Sequence, residues 1–194
     1  MAKKGIKAFL DSNVILSGFI SDKGAPRHIL DILCHDLPFV IAATGQYNIG
    51  EIKRTISRKL PAAHPVFRDY MSRLKFEIIP LPSWTALEEY RGAIADTDLP
   101  VLVSAIQSGA DYLVTGDKKH FGEIKGRKDI PLKICSPSEF VDILANSIRE
   151  LEKWAPEEAQ RQWKSDKSGG RGRRDSGFGT KEGIPASSVG NQKE

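Results

Sequence analysis

The stretch that decides the fold runs from Asp98 to Asp117 and reads Asp-Leu-Pro-Val-Leu-Val-Ser-Ala-Ile-Gln-Ser-Gly-Ala-Asp-Tyr-Leu-Val-Thr-Gly-Asp. Its first part, residues 98–108, is amphipathic and starts with an Asp that can cap a helix. A Gly-Ala-Asp turn follows at residues 109–111, and residues 112–115 form a short apolar run that leads into Gly-Asp. A helix, a tight turn and a buried strand in this order predict one unit of a parallel α/β sheet.

Similar apolar runs on both sides of this stretch predict further strands. They cover residues 6–10, 39–43, 76–80 and 132–135. These runs are short and apolar enough to be buried on both faces of a sheet. Amphipathic stretches between them predict helices at residues 26–37, 46–59, 65–74 and 83–94. The alternation predicts an α/β fold, a three-layer α/β/α sandwich with a central parallel sheet.

The composition changes near residue 150, which predicts a domain at residues 1–150 and a helix extension with a tail at 151–194. Ser136, Pro137 and Glu139 form a helix-start signal with a capping box, and the helix runs through Ile148. Residues 165–194 are dominated by Gly, Ser, Lys and Arg, and such a segment buries too little apolar surface to offset its ordering entropy. We expect this tail to be disordered. Its arginines at residues 171–174 could contact RNA phosphates, and the alternative is a solvated tail.

Length and composition exclude several classes of protein. The 194 residues, 40% of them hydrophobic, allow one α/β domain with extra chain, and no apolar run reaches the length of a membrane span. The cysteines, Cys34 and Cys135, form neither a metal-ligand spacing nor a disulfide framework. This predicts that the protein resides in the reducing cytoplasm. The net charge of +4 is compatible with a nucleic-acid partner.

Acidic residues stand where the predicted sheet would bind a ligand. Asp11 and Asp117 follow predicted strands, Asp98 starts a helix, and Glu51 lies early in the helix after the second strand. Taken singly, Asp98 and Asp117 have the alternative of helix caps and Glu51 that of a solvated charge. Ligands bind at the carboxyl ends of parallel strands, and gathered carboxylates repel one another unless a cation lies among them. Oxygen ligands favour a hard ion, Mg²⁺ or Mn²⁺.

These residues carry a resemblance to a known family. Asp11-Ser-Asn13, the acidic Glu51 and the stretch from Asp98 to Asp117 resemble the PIN-domain family, especially VapC-like ribonuclease toxins of toxin–antitoxin pairs. The resemblance covers roughly residues 6–144 and leaves the tail unexplained.

The resemblance implies a site and a function. Asp11, Glu51, Asp98 and Asp117 match the family's acidic quartet, with Asp11, Asp98 and Asp117 as the metal ligands. Asn13 and Thr115 match the polar residues that brace the first and last aspartates. It further implies cleavage of RNA to a 5′-phosphate and a 3′-hydroxyl, a cognate antitoxin protein, and a homodimer.

One departure from the family concerns the second metal ion. Many relatives carry another acid two residues after the last aspartate, where this chain has Lys119. Lys118 and Lys119 could contact RNA phosphate or be ordinary solvated residues. We expect His120 at the surface or partly packed, with a metal ligand or general acid as the alternative. Asp111 belongs to the structural turn, and Asp96 is a possible substitute ligand.

Other functions remain open at this point. A haloacid-dehalogenase-like phosphatase would need a second Asp two residues after Asp11, where this chain has Asn13. A dinucleotide-binding domain would need a Gly-rich loop after the first strand. A catalytically weak module that binds RNA or protein, and a housekeeping RNA-processing nuclease, stay as alternatives to the toxin.

Overall fold

The described part of the chain is built on one parallel sheet. The structure is a computed structural model that describes residues 5–35 and 37–154. Its strands are β1 (Ile6–Leu10), β2 (Val40–Gly45), β3 (Glu77–Ile79), β4 (Tyr112–Val114) and β5 (Lys133–Cys135). They pair in the order β3-β2-β1-β4-β5, and every pairing is parallel. The predicted fold class and the five predicted strands are confirmed, with bounds that differ by no more than two residues.

Helices connect the strands. They are α1 (Ser12–Ile20), α2 (Ala25–Leu33), α3 (Gln46–Lys59), α4 (His64–Arg73), α5 (Trp84–Glu89), α6 (Leu99–Gln107) and α7 (Pro137–Trp154), with a 3-10 turn at Pro61–Ala63. The sequence missed α1, because its mostly apolar residues show only a weak amphipathic period. The helix predicted at 83–94 ends at Glu89, before Gly92 adopts a positive φ of 78°.

The two faces of the sheet carry separate apolar cores, which makes the fold three-layered. Leu10 and Val114 point into a core shared with α1 to α4 and α7, whereas Phe9 and Leu113 point into a core built around α6. The expectation that every strand is buried on both faces is wrong for β2 and β3, where Ile41 is 48% and Ile78 is 44% exposed. Ile41 pairs in register with Lys7, and the Lys7 ammonium forms a salt bridge on the surface of the sheet. This part of the face is therefore exposed to solvent.

The start of α7 has the predicted capping box. The Ser136 backbone N–H donates to Glu139 Oε2 at 2.7 Å, and the Glu139 N–H donates to Ser136 Oγ at 3.3 Å. Lys125 Nζ also donates to both Glu139 oxygens. These contacts lower the pKa of Glu139 to about 2, chiefly through the hydrogen bond from Lys125.

Contacts group Met1–Arg149 into one compact unit, which contains the sheet. The predicted tail at 165–194 and its arginines at 171–174 lie outside the described residues. Within residues 5–35 and 37–154, no helix combines the length and the apolar character needed to cross a membrane.

Candidate metal centre

The strand order places a crevice between β1 and β4. β1 lies between β2 and β4. The chain runs from β1 to β2 on one side and from β4 to β5 on the other, so it leaves the neighbouring strands β1 and β4 in opposite directions. In an open parallel sheet, such a switch point leaves room for a ligand beyond the carboxyl ends of the strands. Asp11 directly follows β1 and Thr115 directly follows β4, so both stand at the crevice.

Asp11 is a buried carboxylate surrounded by neutral donors. Its exposed fraction is 5%. The Thr115 hydroxyl and the Asn13 side-chain amide each donate to Oδ2 at 2.7 Å. The Asn48 side-chain amide donates to Oδ1 at 3.3 Å, and the Ser12 hydroxyl, which shares its one proton with Glu51, lies at the same distance from Oδ1. The carboxylate is therefore held in one orientation from three elements of the fold.

Burial dominates the electrostatics of Asp11. Burial raises its pKa to about 6 against the hydrogen bonds from Thr115 and Ser12, which lower it. The nearby Glu51 carboxylate raises it further. Glu51 is itself anchored, because Ser12 Oγ donates to Glu51 Oε2 at 2.9 Å. No positively charged side chain is among the main causes of this shift.

A second group of side chains consists of Asp98, Asp117 and His120. His120 Nδ1 lies 3.0 Å from Asp98 Oδ2 and 2.9 Å from Asp117 Oδ2. The backbone N–H groups of Lys119 and His120 donate to Asp117 Oδ1 at 2.9 and 3.0 Å. The hydrogen bond from the His120 N–H is the main reason why the pKa of Asp117 is lowered.

Hydrogen bonds join the two groups into one site. The Asp117 N–H donates to Thr115 Oγ1 at 3.0 Å, and the Gly116 N–H donates to Asn13 Oδ1 at 2.9 Å. The pKa of the Tyr47 phenol is raised by burial and by Glu51 and Asp98, one carboxylate from each side of the site, against a lowering by Arg54.

These side chains fit a divalent cation. One ligand atom each from Asp98, Asp117 and His120 lies within 4.8 Å of the other two, and Asp11 is not part of this cluster. His120 Nδ1 is buried and has no partner with hydrogen-bond geometry. A buried polar atom without a partner is costly, and a bound ion would satisfy it. Carboxylates and an imidazole nitrogen are common ligands of divalent ions.

Solved structures share this arrangement of strands and helices. No family model and no curated protein sequence matches the chain. VapBC2 from Rickettsia felis, bound to a DNA fragment from its promoter, matches with a TM-score of 0.53 and 20% identity, over 68% of this chain and 98% of that one. PAE2754 from Pyrobaculum aerophilum matches with a TM-score of 0.52 and 17% identity, over 73% and 96%. VapBC-1 from nontypeable Haemophilus influenzae matches with a TM-score of 0.50 and 16% identity, over 69% and 99%.

The chain has a PIN-like fold. The resemblance seen in the sequence is thereby confirmed. Because the identities are 16 to 20%, the confirmation holds at the level of the fold. Because these likenesses show only the fold, the chemistry of this PIN-like domain is inferred from its own side chains.

The predicted site residues divide between the two groups. Asp11, Glu51, Asn13 and Thr115 are joined in the first group, directly or through Ser12. Asp98 and Asp117 meet in the second group, where both contact His120. That an ion is shared among Asp11, Asp98 and Asp117 stays a prediction.

The remaining charged residues of the sequence prediction lie further out. Lys118 and Lys119 are exposed in the turn after Asp117, and Asp96 is exposed before α6. Asp111 precedes β4, and its carboxylate accepts a hydrogen bond from the Lys7 N–H at 2.8 Å. It therefore lies at the amino ends of the strands, whereas Asp11 lies at their carboxyl ends.

The sequence did not reveal Asn48, which is fully buried on α3 and donates to Asp11. His120 is partly packed, as predicted, with its side chain 38% exposed, and its Nδ1 also contacts Asp98 and Asp117. Their positions carried a signal, because Asn48 precedes Glu51 by three residues and His120 follows Asp117 by three. Residues three apart share a face of a helix or a tight turn.

Proposed function

We propose that this chain is a divalent-metal-dependent ribonuclease. One observation carries the proposal: Asp11 is a buried carboxylate at the switch point, with Asp98 and Asp117 in the adjoining cluster. A fold that gathers acids at a ligand-binding crevice and buries Asp11 beside Glu51 favours a cation there.

Asp11, Asp98 and Asp117 would hold the ion, Mg²⁺ or Mn²⁺. Such an ion offsets the negative charge of a phosphodiester and lowers the pKa of a water molecule that it binds. Thr115 and Asn13 fix the Asp11 carboxylate by donating to Oδ2. The Lys119 and His120 backbone N–H groups fix Asp117 by donating to its Oδ1.

Glu51 has a separate role in this proposal. Ser12 occupies its Oε2, so Oε1 can accept a proton from a water molecule aligned with the phosphorus. The exposed lysines Lys118 and Lys119 would contact flanking phosphates as point charges. The expected products are a 5′-phosphate and a 3′-hydroxyl.

A cleavage assay tests the nuclease. Labelled RNA is incubated with Mn²⁺ and the full chain, its Asp11→Asn variant, or Asp111→Asn. Asp111 is the matched control, because it is also a partly buried Asp but lies at the amino ends of the strands. We expect Asp11→Asn to lose at least about 100-fold in rate and Asp111→Asn to keep its rate. Equal rates for wild type and Asp11→Asn would refute the proposal, and RNA binding without cleavage would favour the non-catalytic module.

We propose further that the ribonuclease is the toxin of a toxin–antitoxin pair and acts as a homodimer in the cytoplasm. Structural matches to VapBC2 and VapBC-1 support this role. Expression of the chain should arrest growth, and co-expression of a small protein from a neighbouring gene should relieve the arrest. Arrest that persists unchanged in Asp98→Ala would contradict the toxin, and the absence of arrest would favour a housekeeping nuclease.

A further inference from the structure

The imidazole of His120 meets two carboxylates through a single atom. Nδ1 lies 3.0 Å from Asp98 Oδ2 and 2.9 Å from Asp117 Oδ2. Nδ1 is buried and has no partner with hydrogen-bond geometry, although both distances are short enough for an ion pair with a protonated ring. A ring nitrogen and two carboxylate oxygens that converge in this way are also placed as the ligands of one ion would be.

The backbone builds this position of the ring. Asp117 Oδ1 is occupied by the N–H groups of Lys119 and His120, so its Oδ2 faces the imidazole. The next residue, Phe121, is 1% exposed and anchors the turn in the core beside α6. Gly122 closes the turn tightly, since a Cβ there would lie 2.2 Å from the Lys118 carbonyl oxygen.

We infer that His120 Nδ1 is a nitrogen ligand of the ion held by Asp98 and Asp117, and that the site consequently binds first-row transition ions such as Mn²⁺ and Zn²⁺ more tightly than Mg²⁺. The inference rests on the proposed function, because the ion is the one proposed for RNA cleavage. Ligand atoms that lie within 4.8 Å of one another can share one ion at about 2.0–2.2 Å from each. Imidazole suits transition ions, whereas Mg²⁺ prefers oxygen ligands and keeps several waters.

The competing explanation gives His120 a structural role, in which the ring only bridges two carboxylates. The two explanations predict opposite effects when the ring is removed. A ligand contributes affinity, so its loss weakens the binding of Mn²⁺. A bridge occupies the carboxylates, so its loss leaves cation binding unchanged or strengthens it.

Zinc titration of the full, tag-free chain tests ligation without RNA. The chain has four histidines, and the other three, His28, His35 and His64, are exposed. The triple variant His28→Gln/His35→Gln/His64→Gln leaves His120 as the sole histidine, and its ring nitrogens are followed by ¹⁵N NMR. We expect Nδ1 of His120 to move to the position of a metal-bound nitrogen on addition of Zn²⁺, with Nε2 protonated. A resonance that stays in place while Zn²⁺ binds would overturn the inference.

Calorimetry supplies the second measurement. In His120→Ala we expect the affinity for Mn²⁺ to fall about 10- to 100-fold and the affinity for Mg²⁺ to change much less. The matched control, His28→Gln, should bind both ions as the wild type does. Unchanged or tighter Mn²⁺ binding in His120→Ala would support the bridge and overturn the inference.

The two proposals can fail separately. A chain that binds Zn²⁺ through His120 but cuts no RNA would refute the ribonuclease and support the ligand. A chain that needs Asp98 and Asp117 to cut RNA but shows no response at His120 would support the ribonuclease and refute the ligand. A chain that binds none of these ions would overturn both.

Discussion

Thr115 and Asp11 are 104 positions apart in the chain, yet the Thr115 hydroxyl donates a hydrogen bond of 2.7 Å to Asp11 Oδ2. The two residues follow β4 and β1, which are neighbours in the sheet. The same hydroxyl oxygen accepts the Asp117 N–H at 3.0 Å. One side chain thus fixes two of the proposed metal-binding residues relative to each other.

Removing this hydroxyl should impair the site more than the fold. Thr115→Val keeps the shape of the side chain but leaves the Asp117 N–H and Asp11 Oδ2 without this partner. We expect RNA cleavage to fall about 10- to 100-fold and the free energy of unfolding to fall by about 1–3 kcal/mol. Thr115→Ser, which retains the hydroxyl, is the control. A Thr115→Val enzyme with the rate of Thr115→Ser would contradict this role.

The raised pKa of Asp11 predicts how stability depends on pH in the absence of metal. Its folded pKa of about 6 lies above the ordinary value of 3.8, so burial of the ionised form destabilises the fold. This cost is absent well below pH 3.8, grows as pH rises and is complete above about pH 6.

Asp11→Asn removes that cost. In EDTA we expect it to raise the free energy of unfolding by roughly 2–3 kcal/mol at pH 8 and by much less at pH 4. Thr115 and Asn13 can donate to the new carbonyl oxygen, and the unpartnered Asn48 Oδ1 can accept from the new amide if the Asn48 amide turns over. Urea unfolding at the two pH values measures the difference. An Asp11→Asn variant less stable than wild type at pH 8 would show that the ionised carboxylate does not destabilise the fold.

Much of this arrangement could be predicted from the sequence, because it is determined by local patterns. The apolar run before Asp11, the amphipathic α3 and the capping box at Ser136 each depend on neighbours in the chain. The contact of His120 with Asp98 depends on how the turn after β4 folds against α6, and no local pattern reports it. The helix α1 was missed for the same reason: packing, and not periodicity, decides its conformation.

Metal binding should stabilise the folded chain. An ion that binds only the native state at 100 times its dissociation constant adds about 2.7 kcal/mol to the free energy of unfolding. We expect Mn²⁺ to raise the melting temperature and EDTA to reverse the rise. The double variant Asp98→Asn/Asp117→Asn should lose the response, whereas Asp31→Asn on α2 should keep it. A response that survives in the double variant would place the ion elsewhere.

The capping box at the start of α7 predicts a different pH dependence, with the opposite sign. The pKa of Glu139 is lowered to about 2 from an ordinary 4.5, first by Lys125 and then by the Ser136 N–H. Its stabilising contribution is therefore complete above pH 4.5 and is lost as pH falls towards 2.

Glu139→Ala should consequently destabilise the chain at pH 7 by about 1 kcal/mol or less, because the pair is half exposed and screened by solvent. The difference from wild type in urea unfolding should shrink between pH 4.5 and the acid limit of the fold. Lys125→Met separates the causes, since it removes the ion pair and leaves the hydrogen bonds between Ser136 and Glu139. RNA cleavage should be unchanged in both variants, because neither side chain contacts the carboxylate groups around Asp11 and His120. A gap between Glu139→Ala and wild type that stays constant from pH 7 to pH 3 would show that the charge of Glu139 contributes nothing to the helix start.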